Sequence, residues 1–333
     1  MLTQAQAAID VNELLLKKAR RKDIFMLVFP FVGLIFTIII MTFATRGLFL
    51  SNENIVNIMN QSFTTALVAI GAAFVYAQGG MDFSLGAACG VAQMVFIGSY
   101  THFGLPVWVG AVGAILVAVT ATMIVGFGSY ILHLQPFVVS LCVRSACTGI
   151  LVAGCNALGR NILVPMDIYG FLNNNTLKVT VLLLVLLIGW FLFEKTRVGK
   201  EEKAIGGNIL TAVQSGVRSG RTVVTAHLIL GLCVGIAACF QMARAGTVST
   251  QSGSGLEFNI MIALALGGFP MAGGSSAKIR SVIVGVLIIT SLTNGLTLAG
   301  VDNSYINMIK GLLFIVIVAI SYDRSNLKQV VFM

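Results

Sequence analysis

Chemistry in a chain of 333 residues needs nucleophiles, acids, bases or ligands at working spacings, and here they are sparse. His102, His133 and His227 stand apart, with no HExxH pair and no carboxylate–histidine cluster near any of them. Cys89, Cys142, Cys147, Cys155, Cys233 and Cys239 form no CxxC and fall mostly within apolar runs. They read as small buried hydrophobes, not as a metal site or a disulfide framework. The Gly199-Lys200 pair is followed by Glu201, so no GxxxxGK[ST] phosphate loop exists and the chain does not hydrolyse ATP by itself. What remains is a scatter of polar residues in apolar surroundings. Arg144 sits mid-run in VVSLCVRSACTGI, where a charge either faces a partner or a wet cavity or packs on the carbonyls of a broken helix. Lys310 lies near the start of the last apolar run and can snorkel to the interface. Asn57, Asn60, Gln61, Ser62, Thr64, Thr65 and Gln93 offer neutral donors and acceptors. They suit weak binding of a small polar solute along a translocation path; hydrogen bonding between helices is the competing use of each.

The elements that must position these residues are membrane helices. Hydrophobic residues make up 57% of the chain and charged ones 10%, too few charges to cover a soluble domain. With a mean hydropathy of +0.95, the chain belongs to the bilayer class. The run 26–44 carries no charge and is long enough to cross ~30 Å of hydrocarbon. It reads as a retained first span, because Thr45-Arg46-Gly47 makes a poor signal-peptide cleavage site. The expected fold is all-α and polytopic, with about ten spans near 26–44, 55–77, 84–100, 106–126, 134–153, 178–193, 222–243, 259–271, 281–299 and 305–321. Eight spans with re-entrant pieces is the alternative. Residues 1–25 and 323–333 are expected as cytoplasmic segments flanking a membrane domain at 26–322. The net charge of +9 sits at span ends, which speaks for orientation and not for nucleic acid. With both termini cytoplasmic, roughly fifteen of the 21 Lys and Arg lie inside and about four (Arg46, Arg160, Lys178, Arg244) outside.

Two glycine-rich breaks interrupt the helices. In GGMDFSLG, Gly79-Gly80 can end one helix, Asp82 can cap the next by accepting the Leu85 amide, Ser84 adds a second acceptor, and Gly86 permits close approach. In LGGFPMAGGSSAKIRS, Gly267-Gly268 and Gly273-Gly274 bracket Pro270. Such breaks either line a translocation route or are tight cytoplasmic turns. Between them, EKTRVGKEEKAIGGNILTAVQSG, from Glu194 to Gly216, makes up most of a polar loop over 194–221. Ala204, Ile205, Ala212, Val213 and Val217 give it an apolar edge at helical spacing, and its small residues allow close approach. That suits a short amphipathic helix on the membrane surface or in a partner's groove, against an idle solvated connector.

This loop resembles the coupling loop of permease subunits from ribose-type sugar ABC importers, a branch of the branched-chain amino acid/sugar permease superfamily. The resemblance rests on Thr196, Gly199, Lys200, the run Ala204 to Asn208 with Gly206 and Gly207, Ala212, Ser215, Gly216 and Val217. GGMDFSLG is similar to that family's GGIDLSVG, LGGFPMAGG to its paired-glycine element, and NGLTLAGV (from Asn294 and Gly295) with IKGLLFIVIVAI to its closing segment. The resemblance covers nearly the whole chain from about residue 25, in order. It implies a pathway subunit in the inner membrane with a fold like that of the cobalamin importers. It also implies a second permease subunit, identical or related, two separate ATPase domains that bind ATP and Mg, an extracytoplasmic sugar-binding protein, and surrounding lipid. No cofactor is expected in this chain. AIGGN and GGMDFSLG favour a monosaccharide or similar solute over a branched-chain amino acid; a nucleoside is a further alternative. Glu201-Glu202 departs from the family, which has aromatic or apolar residues there, and Thr211 stands where alanine is common. An ion-coupled secondary transporter is the rival from another class. It would need membrane-embedded acids, and Asp82 is the one acid expected near an inner position.

Overall fold

The computed structural model describes residues 29–321. The expected cytoplasmic segments 1–25 and 323–333 lie outside these residues, as do 26–28 and 322 of the membrane domain. The helices are α1 (Phe29–Ala44), α2 (Asn52–Ala77), α3 (Leu85–Thr101), α4 (Val107–Leu132), α5 (Pro136–Leu158), α6 (Met166–Tyr169) and α7 (Asn175–Trp190). They continue with α8 (Arg197–Gly207), α9 (Ile209–Gln214), α10 (Ser219–Ala245), α11 (Leu256–Leu266), α12 (Ile279–Leu298) and α13 (Asn303–Ser321). Strands β1 (Ile162–Leu163) and β2 (Thr247–Val248) form an antiparallel bridge with Ile162 opposite Val248. Among the described residues this bridge is the one strand pairing; the rest is helix and the turns that join helices.

Each expected span falls on an apolar helix. Six are long and apolar enough to cross a membrane: α2, α4, α5, α7 with the turn after it, α10 and α12. Helices α1, α3, α11 and α13 are apolar but shorter. The expectation for α11 needs correction: it begins at Leu256, not 259, and stops at Leu266, not 271. Gly268, at φ +76°, turns the chain there, a conformation that costs glycine no steric penalty.

Helix α2 is the axis of the molecule, buried from Ser62 to Ala77. It packs on α10, and α10 on α4, where small residues let the backbones approach. A Cβ on Gly71 would lie 3.0 Å from the Cα of Leu230, and one on Gly235 2.6 Å from the Cα of Ile115. The leucine-rich α7 runs along the rim with Leu183, Leu184, Leu187 and Ile188 exposed, a face suited to lipid. The α8–α9 elbow joins α7 to the start of α10, and the β bridge lies just beyond the other end of α10, so the two mark opposite faces.

Candidate functional site

The elbow is built onto the helix bundle. After α7 a π-helical turn, Phe191–Lys195, swings Phe193 inward, edge-on to Phe74 of α2 at 5.1 Å between ring centres. The Thr196 hydroxyl donates to the Leu192 carbonyl (2.6 Å) and accepts the Val198 amide (3.2 Å), capping α8. Gly199 is required because a side chain there would strike the carbonyl of Phe193. Lys200 is exposed, whereas Lys203 reaches back to Glu194 (2.8 Å) and over the Phe193 ring. The far end of α8 wedges between the two glycine-rich breaks. Gly274 donates its amide to the Ala77 carbonyl at 2.9 Å, and a Cβ on Gly206 would strike that carbonyl and lie 2.6 Å from the Gly274 nitrogen. Gly79 (φ +82°) and Gly273 (φ +77°) complete the knot, within van der Waals distance of Ala272 and Ala77 respectively.

The expectation of one amphipathic helix through Ala204–Val217 is corrected to two. Asn208 takes an extended conformation, breaks the helix after Gly207, and caps α9 by accepting the Thr211 amide (3.1 Å). The apolar edge is also redistributed. Ile205 and Ala212 are buried within the molecule, while Ile209, Leu210 and Val213 of α9 face outward, Leu210 at 73% exposure. Ala204, Asn208, Thr211, Ala212, Ser215 and Val217 line a cleft of about 280 Å³ between α8 and α9. Gly216 ends the elbow at φ +89° with open space around it.

Glu202, unremarkable in the sequence beyond being unlike the family, is the buried heart of the elbow. Its side chain has no solvent exposure; Oε2 accepts from Gln78 Nε2 at the end of α2, and Oε1 has no partner among the described residues. Gln78 also donates to the Thr222 carbonyl at the start of α10 (3.3 Å). Burial pushes the Glu202 carboxyl up to about 9; the Gln78 hydrogen bond pulls it down and the neighbouring Glu201 raises it further.

The first break is no exposed turn. Asp82 and Ser84 are buried, and Asp82 Oδ1 accepts from the amide and hydroxyl of Ser84 (2.7 and 2.6 Å), not from Leu85 as expected. The Phe83 amide donates to Ser140 of α5 (3.0 Å), and the Phe83 ring meets Phe137 and Phe258 edge-on. Gly80 packs near Val75 and Pro136. Gly86 lies against Gly253 and Glu257, where no side chain would fit. Glu257 is the partner of Arg144, 2.8 Å away. The expectation that Asp82 is the one inner acid is therefore wrong: Glu257, in the apolar helix α11, is buried as well. The sequence signal was an acid opening the apolar run LEFNIMIALAL. In the second break, Gly267 sits against Ser281 and Gly285 of α12. Further along α12, Asn294 is buried with its Oδ1 unpartnered, and Gly295 accommodates Met41 of α1.

At the opposite face a polar cavity of about 190 Å³ opens between α2, α10, α11 and α12. Gln61, Thr64 and Thr65 come from α2, Gln241 and Arg244 from α10, and Asn259, Thr290 and Thr293 from α11 and α12. Beside it, Ser62 and Thr290 share a 2.7 Å hydrogen bond that ties α2 to α12. Of the residues expected on a path, the structure places Gln61, Thr64 and Thr65 in this cavity. Asn57 is exposed near the start of α2; Asn60 accepts from Lys178 Nζ (2.7 Å); Gln93 is buried, bonded to Cys89 (3.4 Å), which in turn contacts the cavity residue Gln241. Among the described residues no group of His, Cys, Asp and Glu is placed to hold a metal, and the six cysteines are free, Cys142 exposed and the others buried.

A bundle of apolar helices that encloses a polar cavity at one face and presents a structured elbow at the other is the architecture of a multi-pass membrane permease. The chain belongs to the family of branched-chain amino acid transport system permease components, whose profile matches residues 54–318. Among its relatives are the ribose import permease of Bacillus subtilis, 30% identical over 89% of this chain and 92% of that protein. The D-allose transport system permease of Escherichia coli is 31% identical over 83% of this chain and 85% of its own length. The galactose/methyl galactoside import permease of Haemophilus influenzae is 28% identical over 82% and 87%. No solved structure matches the chain.

Proposed function

We propose that this chain is the pathway subunit of an ATP-binding-cassette importer for a monosaccharide or similar small polar solute in the inner membrane. The observation that carries the reading is a single helix with two ends. The first half of α2 lines the cavity through Gln61, Thr64 and Thr65; its last residue, Ala77, is gripped by the elbow and the Gly273-Gly274 turn. Twelve residues of helix, ~18 Å, separate Thr65 from Ala77. A displacement of the elbow is thus a displacement of the cavity wall, which is what coupling requires. In this reading the elbow faces the cytoplasm, both termini lie there with it, and the ten apolar helices all serve as spans. ATP and Mg are handled by separate ATPase domains docked on 194–221. A second permease subunit completes the pathway, and a binding protein delivers solute to the cavity from outside. The amides and hydroxyls of the cavity suit a polyhydroxylated solute, in keeping with relatives named for ribose, allose and galactose.

The docking claim is tested with two exposed leucines. Leu210→Asp on α9 is expected to abolish co-purification of an ATPase chain and ATP-driven sugar uptake while the permease still inserts. Leu163→Asp on β1, equally exposed on the opposite face, is expected to leave co-purification of the ATPase intact. An ATPase that stays bound to the Leu210 variant refutes docking at the elbow. Uptake driven by an ion gradient without nucleotide refutes the importer reading.

A further inference from the structure

The charge around the cavity is one-sided. Arg244, in the last turn of α10, is the one charged residue among those lining it, and among the described residues no carboxylate pairs with it. Glu257 lies in sequence between two lining residues, Leu256 and Asn259, yet its side chain leaves the cavity and goes to Arg144, with 2% exposure. Asn259 is itself in use from behind: its Oδ1 accepts from Lys310 Nζ at 3.0 Å, and Lys310 is only 8% exposed. A third cation, Lys178, is held by Asn60 and Asn173 through amide oxygens at 2.7 and 2.6 Å and lies within electrostatic reach of Arg244. Each lysine therefore has amide dipoles for company where a buried cation ordinarily has an acid. The C-terminal end of α10 favours a cation at Arg244. It does not account for two further cations placed nearby without counter-charge.

A neutral sugar would be satisfied by the amides and hydroxyls alone and would leave the exposed Arg244 and the two buried lysines without a counter-charge. A solute bearing a negative group would neutralise it and use the same hydroxyl-binding walls for its ring. Accepting the reading of the chain as a sugar permease, we propose that the cavity selects an anionic monosaccharide, its acid group lodged against Arg244 on the side where Asn259 presents Lys310. Carboxylate and phosphate share this chemistry, and the cavity excludes neither.

The test measures binding to the complex of this chain with its ATPase in nanodiscs, without the extracytoplasmic binding protein, so that the preference read is the permease's own. The probes are galacturonate, galactose 6-phosphate and galactose at low ionic strength. At least one of the two anions is expected to bind about tenfold or more tightly than galactose. Preference for galacturonate identifies a carboxylate, and preference for the phosphate identifies a phosphoryl group. The preference should vanish in Arg244→Gln, weaken in Lys310→Met, and survive in Arg244→Lys, which keeps the charge and guards against misfolding. Galactose binding as tightly as both anions, no measurable binding of any probe, or an unchanged preference in a folded Arg244→Gln protein each overturns the proposal. The importer reading is judged separately, by whether ATP drives uptake of any sugar at all.

Discussion

Arg144 of α5 meets Glu257 of α11 at 2.8 Å, and this ion pair crosses the core of the bundle beside Asp82 and Gly86. Glu257 is almost wholly enclosed, and Arg144 keeps about a third of its side chain accessible, 34%. The pair holds the short α11 against α5 at the point where the first break, through Phe83, also contacts both helices. Since α11 carries Asn259 in the cavity and leads into the Gly267–Gly274 turn at the elbow, the pair fixes a lever between the two faces.

Removing one partner should cost more than removing both. Arg144→Met leaves an enclosed carboxylate without its cation, a loss of about 3–5 kcal/mol for a fully buried pair and less here because Arg144 is partly accessible. Glu257→Gln keeps an amide oxygen that can accept from the arginine, so its cost is smaller. The double variant is expected to recover part of the Arg144→Met loss, with a coupling of about 0.5–3 kcal/mol. Thermal unfolding of the four proteins in detergent checks this. Additive losses would show that the two side chains do not act as a pair.

Gly206 and Gly207 are adjacent and should differ completely. A methyl group on Gly206 strikes the Ala77 carbonyl and crowds the Gly274 amide; on Gly207 it meets nothing within 4 Å. Gly206→Ala is therefore expected to lever α8 off the end of α2, leaving insertion and ATPase binding intact but lowering solute-stimulated ATP hydrolysis about tenfold or more. Gly207→Ala is expected to behave as wild type. Assays of ATP turnover with and without loaded binding protein distinguish them.

Much of this architecture could be read from the residues, and the reasons are physical. A bilayer demands long uninterrupted apolar helices, so the spans announce themselves, and paired glycines mark the breaks because positive φ is otherwise costly. The split of the elbow was also latent in the sequence, since Gly206-Gly207-Asn208 is a helix end followed by a cap. Pairing across helices was not legible. Nothing local in VVSLCVRSACTGI points to Glu257, and nothing near Lys310 points to Asn259; these contacts exist only once distant helices pack. Facing was equally hidden. Asn60 and Gln61 are neighbours, but one residue is about 100° of helix rotation, enough to send Asn60 to Lys178 and Gln61 to the cavity.

Glu202 makes the elbow sensitive to pH. Its carboxyl titrates near about 9 when folded, against an ordinary value of 4.5, so the folded chain holds a proton that the unfolded chain releases across that window. The sign follows: this contribution is fully present below about 4.5, declines as pH rises, and is lost above about 9. At its steepest the decline is about 1.4 kcal/mol per pH unit. Glu202→Gln mimics the protonated form, so it should match the wild type near about pH 5, flatten the dependence above that, and be the more stable of the two at neutral pH. Melting temperatures of both proteins between about pH 5 and about pH 9 test it. Parallel curves would mean that the carboxyl is ionised in the folded elbow.

Neighbouring amides on α2 should fail in different assays. Asn60 provides one of the two oxygens that hold the buried Lys178 ammonium, so Asn60→Leu leaves that cation with Asn173 alone. Losing a hydrogen bond to a charged group costs about 1.5–3 kcal/mol, and the expected sign is a lower unfolding temperature. Gln61 lines the cavity, and no hydrogen bond from its side chain holds a neighbouring helix among the described residues. Gln61→Leu should therefore melt as wild type but take up solute about tenfold more slowly, the worth of one hydrogen bond. Uptake and melting measured on both variants give the answer. If Gln61→Leu transports normally, the wall of α2 does not touch the solute; if Asn60→Leu melts normally, Asn173 and lipid headgroups suffice to hold Lys178.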